Sequence, residues 1–343
     1  MKKILLSIFA SSMMLTAFAQ FPGGGGFPGG GFPGGGMPGG GMPMGGGMPG
    51  GFGFGGQQIS AEDMHYSEKF TDLNYADDGQ AYHNLDVYLP ETKAEKYPVV
   101  VHIYGSAWFS NSSKGAADLG TIVTALLKAG YAVVCPNHRS SMDAGWPAQS
   151  HDIKAVIRWI RGNAKQYKFD PSFIATSGFS SGGHLSTFMA STSGTKTAKV
   201  GNGELDIEGN LGKYTDQSCA TQACVDWSGP IAFPITGDGS GTPEEGLLKL
   251  KENLLFGSRE AAFASLSAIT FVDPKDPPTI IFHGTEDNVV PIASGEKYAA
   301  ALKDKGVVSE YYPVQGGGHG FNMYTEENLQ RMVNFLNKAR GAK

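Results

Sequence analysis

The chain is predicted to fold as an α/β protein: a mostly parallel, doubly wound central sheet with helices on both faces and a small cap or loop insertion. Three observations predict it. Short buried-type apolar runs alternate with segments of helical spacing through most of the chain. One such run ends in a Gly-x-Ser-x-Gly turn, Gly178 to Gly182, which opens directly into a helix-like segment. An Asp and a His then follow two later strand-like runs, and parallel sheets gather their chemistry at the carboxyl ends of strands.

The N-terminal part is of a different kind. Met1 to Ala19 has a basic start at Lys2 and Lys3, an apolar core from Ile4 to Phe18, and Ala17-Phe18-Ala19 before Gln20, the pattern of a cleaved secretory leader. No cysteine near the cut offers a lipid-attachment signal. Residues 20–58 hold Phe-Pro-Gly-Gly-Gly and Met-Pro-Gly-Gly-Gly repeats, with no charged residue from Phe21 to Gly56. Glycine's backbone entropy and the isolated apolar side chains prevent a closed core, so this is expected to be a flexible linker. The sharper alternative is a sticky spacer touching polysaccharide or cell envelope. Its Gly-x-Gly-x-x-Gly matches lack a preceding strand and a following helix, which excludes a nucleotide loop. The formal net charge of −5 becomes more negative if the leader is removed, which argues against nucleic acid and anionic membranes as partners.

Residues 59–343 are expected to be the folded domain. Leu85 to Leu89 alternates as a strand and ends at Pro90. Tyr97 to Tyr104 is a buried-type strand, followed by Gly105-Ser106-Ala107-Trp108. Ala116 to Ala129 has helical spacing and stops at Gly130. Tyr131 to Pro136 is a strand, and Asp152 to Tyr167 an amphipathic helix carrying Val156, Ile157, Trp159 and Ile160. Phe173 to Ser177 is the strand before the turn. Ser193 to Gln222 reads as a polar loop, Ala223 to Trp227 as a strand, and Ile231 to Asp276 as helical pieces of a cap. Thr279 to His283, Ser294 to Lys305, Val308 to Val314 and Glu326 to Lys338 complete the alternation as strand, helix, strand and helix.

The turn after Ser177 has a chemical reason. Lifting a serine oxygen above the sheet edge requires a reversal almost in place, and glycine on either side leaves room for it. Ser180 is the candidate nucleophile, and the Ser181 N–H, at a helix start, suits a developing oxyanion. The candidate acid is Asp287, just past a strand end, with Val289, Val290 and Pro291 anchoring its turn; Asp226 is the alternative. The candidate base is His319, set among Gly316, Gly317, Gly318 and Gly320. A serine hydroxyl needs a base to become a nucleophile, and an acid fixes the imidazole tautomer. The order Ser, Asp, His matches one serine hydrolase architecture and not the others. His102 and His184 read as structural histidines, and His283 as a brace for the acid turn. His65, His83, His138 and His151 show no ligand spacing, so neither a metal nor a cofactor is expected. Cys135 lies in an apolar run, whereas Cys219 and Cys224 are either a disulfide or two free thiols.

With these residues in place, the chain from about Tyr82 to Lys338 resembles the α/β-hydrolases of the hormone-sensitive-lipase-like esterase branch. Within it, the resemblance is to the bacterial feruloyl and acetylxylan esterase-like (BD-FAE-like) group. The likeness is carried by Val99 to Trp108, Asn137-His138-Arg139, Trp146-Pro147-Ala148-Gln149 with Asp152, the turn with Gly182-Gly183-His184-Leu185, and the loops of Asp287 and His319. The resemblance implies an oxyanion loop at Tyr104-Gly105-Ser106-Ala107-Trp108, where the group usually has His-Gly-Gly-Gly-Trp. Ser106 and Ala107 then join Ser181 as backbone donors, provided their φ is negative. It implies a structural Arg139–Asp152 pair bracing the turn. Trp108, Trp146 and Trp227 are either pocket walls or plain packing.

The resemblance further implies a secreted or periplasmic serine esterase acting on acetyl or feruloyl esters of plant polysaccharide, or on small esters. Two other readings stand beside it: a prolyl-oligopeptidase-type peptidase, for which residues 59–343 leave no room for a propeller, and a non-catalytic adhesive protein acting through the Gly-rich tail.

Overall fold

The structure is a computed structural model that describes residues 64–116, 118–235, 242–249 and 256–341. These fall in the second of two units, Gln58–Lys343. The expected leader and linker lie outside the described residues.

Eight strands form one sheet in the order β1-β2-β4-β3-β5-β8-β9-β10. They are β1 (Glu68–Asn74), β2 (Asn84–Leu89), β3 (Tyr97–Ile103), β4 (Ala132–Pro136), β5 (Phe169–Phe179), β8 (Ala223–Trp227), β9 (Thr279–Gly284) and β10 (Ser309–Val314). β1–β2 and β2–β4 pair antiparallel; every pair from β4 to β10 is parallel. The helices are α1 (Thr124–Lys128), α2 (Ala148–Gly162), α3 (Ser181–Ser191), α4 (Pro243–Leu248), α5 (Arg259–Leu266), α6 (Ala293–Asp304) and α7 (Glu326–Gly341). Among the described residues no helix is long and apolar enough to cross a membrane.

The alternation of β3 explains the layers. Val99, Val101 and Ile103 face one cluster with Ile153 and Ile157 of α2, Leu185 and Phe188 of α3, and Tyr298 of α6. Val100 faces the other, with Ile122, Leu126 of α1 and Phe335 of α7. Burial on both faces is why β3 reads as an unbroken apolar run. After β3 the chain moves to β4 on one side and returns to β5 on the other, so the carboxyl ends of β3 and β5 adjoin at a topological switch point.

Three expectations need correction. The single helix over Ala116 to Ala129 is broken: Asp118 sits in the left-handed region at φ 48°, Leu119–Val123 is a wide turn, and only then does α1 begin. Asp118 is held there by His102, with Nε2 and Oδ2 at 3.3 Å. The loop expected over Ser193 to Gln222 contains an antiparallel hairpin, β6 (Thr197–Val200) and β7 (Gly203–Asp206), turning at Gly201-Asn202. α2 begins at Ala148 and ends at Gly162, several residues earlier than expected at each end.

Candidate active site

Ser180 links β5 to α3 with φ 54° and ψ −122°, a backbone conformation that non-glycine residues hold only where the surroundings enforce it. The enforcement is close packing. A Cβ on Gly178 would lie 2.2 Å from the Gly182 carbonyl oxygen, and a Cβ on Gly182 2.1 Å from that of Ile103. The Ser180 N–H donates to the Trp227 carbonyl at 2.9 Å, pinning the turn to β8.

His319 Nε2 lies 2.9 Å from Ser180 Oγ, and His319 Nδ1 lies 2.8 Å from Asp287 Oδ2. Asp287 Oδ1 accepts the N–H groups of Val289 and Val290 at 2.9 and 2.8 Å. The Asp287 side chain is fully buried. Burial pushes its carboxyl up, but the hydrogen bond and charge of His319 and the two backbone N–H groups outweigh it, holding the carboxyl below the usual range. His283, at the end of β9, braces this turn through Nε2, which donates to the Val290 carbonyl at 2.9 Å.

The acid and base loops are knitted together. The Glu286 N–H donates to the Gly317 carbonyl at 2.8 Å, and the Gly316 N–H to Thr285 Oγ1 at 2.9 Å. Gly284 has no room for a side chain, because its Cβ would meet the Gly317 carbonyl oxygen at 2.2 Å. The Phe179 ring lies 4.7 Å from the His319 ring. Ser180, His319 and Asp287 are therefore one hydrogen-bonded chain that can carry a proton away from Ser180 Oγ. Asp226, the alternative acid, is brought elsewhere. It is fully buried in β8, its Oδ1 accepts the Gly229 N–H at 3.0 Å, and burial pushes its carboxyl up to about 8.

The oxyanion loop is built differently from expectation. Ser106 is not a free donor, because its N–H is taken by Ser181 Oγ at 2.8 Å. Ala107 has φ 48° and Trp108 φ 61°, so the negative φ expected for Ala107 is absent. Among the described residues nothing accepts the Ala107 N–H, and Ser181, as the first residue of α3, has no intrahelical acceptor. Positive φ strains the loop but does not remove an N–H, so of the three expected donors Ala107 and Ser181 are the two whose amides have no acceptor among the described residues.

The three tryptophans pack in the core. Trp227 is fully buried and stacked on Phe282 with ring centroids 4.0 Å apart. Trp146 donates through Nε1 to the Ser265 carbonyl and meets Phe188 edge-on. Trp108 donates through Nε1 to His184 Nδ1 at 3.2 Å. The Arg139–Asp152 pair is bidentate and fully buried at the carboxylate, but it braces the loop after β4 and the start of α2, not the turn at Ser180. Its further partners are the Ala148 carbonyl and, at 3.4 Å, His83 Nε2. The side-chain roles of Ser181 and His184 escaped the sequence reading; the signal was their spacing, three apart on the helix after the turn. Cys135, Cys219 and Cys224 are free and buried. Among the described residues no group of three or more His, Cys, Asp or Glu side chains is arranged to hold a metal.

This fold and this hydrogen-bonded chain define the class: an α/β-hydrolase. The BD-FAE family model matches residues 85–302. A solved structure described as a truncated form of carbohydrate esterase from gut microbiota is 38% identical, with TM-score 0.74, over 83% of this chain and 98% of that one. Esterase LipQ of Mycobacterium tuberculosis is 26% identical over 75% of this chain and 58% of its own length. An acetylxylan esterase of Xylanibacter ruminicola is 25% identical over 79% of this chain and 50% of its own length. The chain belongs to the BD-FAE family. It spans about half the length of the curated relatives it matches.

Proposed function

We propose that the chain is a serine carboxylic-ester hydrolase. The observation that carries this is the unbroken line from Asp287 through His319 to Ser180, 2.8 and 2.9 Å, ending on a serine held at φ 54°. In this reading His319 takes the Ser180 proton as Oγ attacks the ester carbonyl. The tetrahedral oxyanion is met by the Ala107 and Ser181 N–H groups, and Asp287 steadies the imidazolium. The alcohol leaves with the proton from His319. A water molecule, deprotonated by His319, then releases the acid from the acyl-enzyme.

The substrates we propose are acetyl or feruloyl esters of plant polysaccharide. The names of an acetylxylan esterase and a carbohydrate esterase among the relatives support this reading. Export is proposed from Lys2, Lys3, the apolar run and Ala17-Phe18-Ala19, with residues 21–56 as a tether or a contact to polymer or envelope.

The test is turnover of p-nitrophenyl acetate, methyl ferulate and acetylated xylan by the wild type and Ser180→Ala. The mutant is expected to lose ~10⁴-fold or more in kcat. A Ser180→Ala protein as active as the wild type would remove the acyl-enzyme reading. Ranking the three substrates separates acetyl from feruloyl preference.

A further inference from the structure

Both residues flanking Ala107 are tied to one side of α3. The Ser106 N–H donates to Ser181 Oγ at 2.8 Å, and the Trp108 indole donates to His184 Nδ1 at 3.2 Å. Ser181 and His184 are three residues apart in the helix and so share a face. Between the two ties, Ala107 and Trp108 are consecutive left-handed residues, each costing roughly 1–3 kcal/mol in a non-glycine side chain. A glycine-rich loop would reach such angles without strain. Ser-Ala-Trp does not, and a loop of this kind keeps its shape only while something holds it.

The His184 ring is suited to holding. It is fully buried, and burial pushes its imidazole down to about 4, so it is neutral at working pH. Nε2 donates to the Leu266 carbonyl at 2.8 Å, which leaves Nδ1 as the acceptor that the indole N–H needs. Leu266 ends α5, so the same ring joins the oxyanion loop, the helix after the nucleophile and the cap segment. Phe233 packs against both partners, its ring 5.2 Å from His184 and 5.9 Å from Trp108.

We propose that Ser181, through its hydroxyl, and His184, through its ring, are positioning residues: a two-point clamp that holds the Ala107 N–H in place for the developing oxyanion. The inference rests on the ester-hydrolase reading above. Ser181 then works twice, its amide toward the oxyanion and its side chain toward the loop that supplies the second donor. The clamped amide meets full negative charge only in the transition state, so loosening it lowers kcat more than it raises KM.

The experiment uses the full chain with Ser181→Ala, His184→Phe, Trp108→Phe, the His184→Phe/Trp108→Phe double variant and His184→Gln, each checked for folding by circular dichroism. Each of the first three is expected to lower kcat on p-nitrophenyl acetate by ~10- to 100-fold, short of the loss from deleting a donor outright. KM should stay within ~3-fold, and affinity for a boronic acid that adds to Ser180 should fall in step with kcat. The double variant should be no worse than the poorer single one, because both cut the same tie. His184→Gln, which can accept from the indole and donate to the Leu266 carbonyl, should recover most of the loss. Folded Ser181→Ala and His184→Phe proteins with wild-type kcat, or losses seen in KM alone, would overturn the clamp while leaving the esterase reading intact. A wild type that turns over no ester overturns both.

Discussion

Asp226 separates the two acids the sequence offered, and its own chemistry predicts a measurable effect. Its carboxyl is fully buried, Oδ1 accepts one N–H from Gly229, and Oδ2 has no hydrogen-bond partner among the described residues. Burial raises its pKa from 3.8 to about 8, against a smaller downward pull from Gly229. The titratable groups that feel its charge, Cys224, Tyr298 and Tyr311, are pushed upward themselves and stay neutral at pH 7. An acid with a raised folded pKa keeps its proton where the unfolded chain has lost it. Unfolding then releases a proton, and stability falls as pH rises from about 3.8 to about 8. The slope in that window is about 1.4 kcal/mol per pH unit, so from pH 5 to pH 8 Asp226 takes away about 4 kcal/mol as an upper bound. Asp226→Asn keeps the Oδ1 acceptor and cannot ionise. The stability gap between variant and wild type, read from urea unfolding at pH 5, 6, 7 and 8, should therefore widen with pH by up to that amount. The variant should retain turnover, whereas Asp287→Asn should lose ~10⁴-fold in kcat by leaving His319 in the wrong tautomer. A gap independent of pH would refute the buried neutral acid. Collapse of turnover in Asp226→Asn with survival in Asp287→Asn would reverse the assignment of the acid.

Buried groups give three further predictions. Asp152 sits between Arg139 and His83, so Asp152→Asn should cost about 3 kcal/mol by leaving those two groups without their counter-charge. Burial lowers the His83 pKa, but Asp152 and Asp78 outweigh it and raise it above 6.5. Its contribution to stability is therefore fully present below pH 6.5 and lost as pH rises through the folded value, and thermal melts across pH 5 to 9 should show that component in the wild type and a smaller one in Asp152→Asn. The three buried free thiols should be silent to a thiol reagent in the folded protein and all react after unfolding without reductant; recovery of a single thiol would show that Cys219 and Cys224 pair.

What was legible in the sequence was whatever a single stretch determines. β3 and β9 are apolar runs buried on both faces, and the turn at Ser180 needs Gly178 and Gly182 because their neighbours are backbone carbonyls. The loops of Asp287 and His319 could be placed because each follows a strand end. The elements that were missed depend on partners remote in sequence. β1 is an edge strand with mostly exposed side chains, so neither alternation nor an apolar run marks it. The split of the helix before Gly130 depends on Asp118 reaching a buried histidine in β3. The β6–β7 hairpin is polar, yet Gly201-Asn202 between Val200 and Gly203 was a usable turn signal. Of the two roles open to the tryptophans, the structure shows core packing, and side-chain type alone cannot say which side of a sheet or loop a ring takes. For Trp227 the alternation of β8 puts it in the cluster with Phe282 and Tyr324.

The contacts divide the site into two independently braced halves. On one side, the loop after β9 and the loop after β10 share the Glu286–Gly317 and Gly316–Thr285 hydrogen bonds, so acid and base are fixed relative to each other before any substrate arrives. On the other, Gly182 packed on Ile103, together with the Ser181–Ser106 and His184–Trp108 ties, fixes the nucleophile relative to the oxyanion loop. The halves meet at the His319–Ser180 hydrogen bond and the Phe179–His319 ring contact. In the proposed mechanism, each pair that must hold its geometry lies within one half: imidazole with carboxylate, and nucleophile with the proposed oxyanion donors. In the proposed ester hydrolysis, the one distance that has to change, as Ser180 Oγ gives up its proton and bonds to an acyl carbon, is the distance between the halves. Substitutions within a half should therefore act on preorganisation and on kcat, and those at Phe179 on how closely the base approaches the serine.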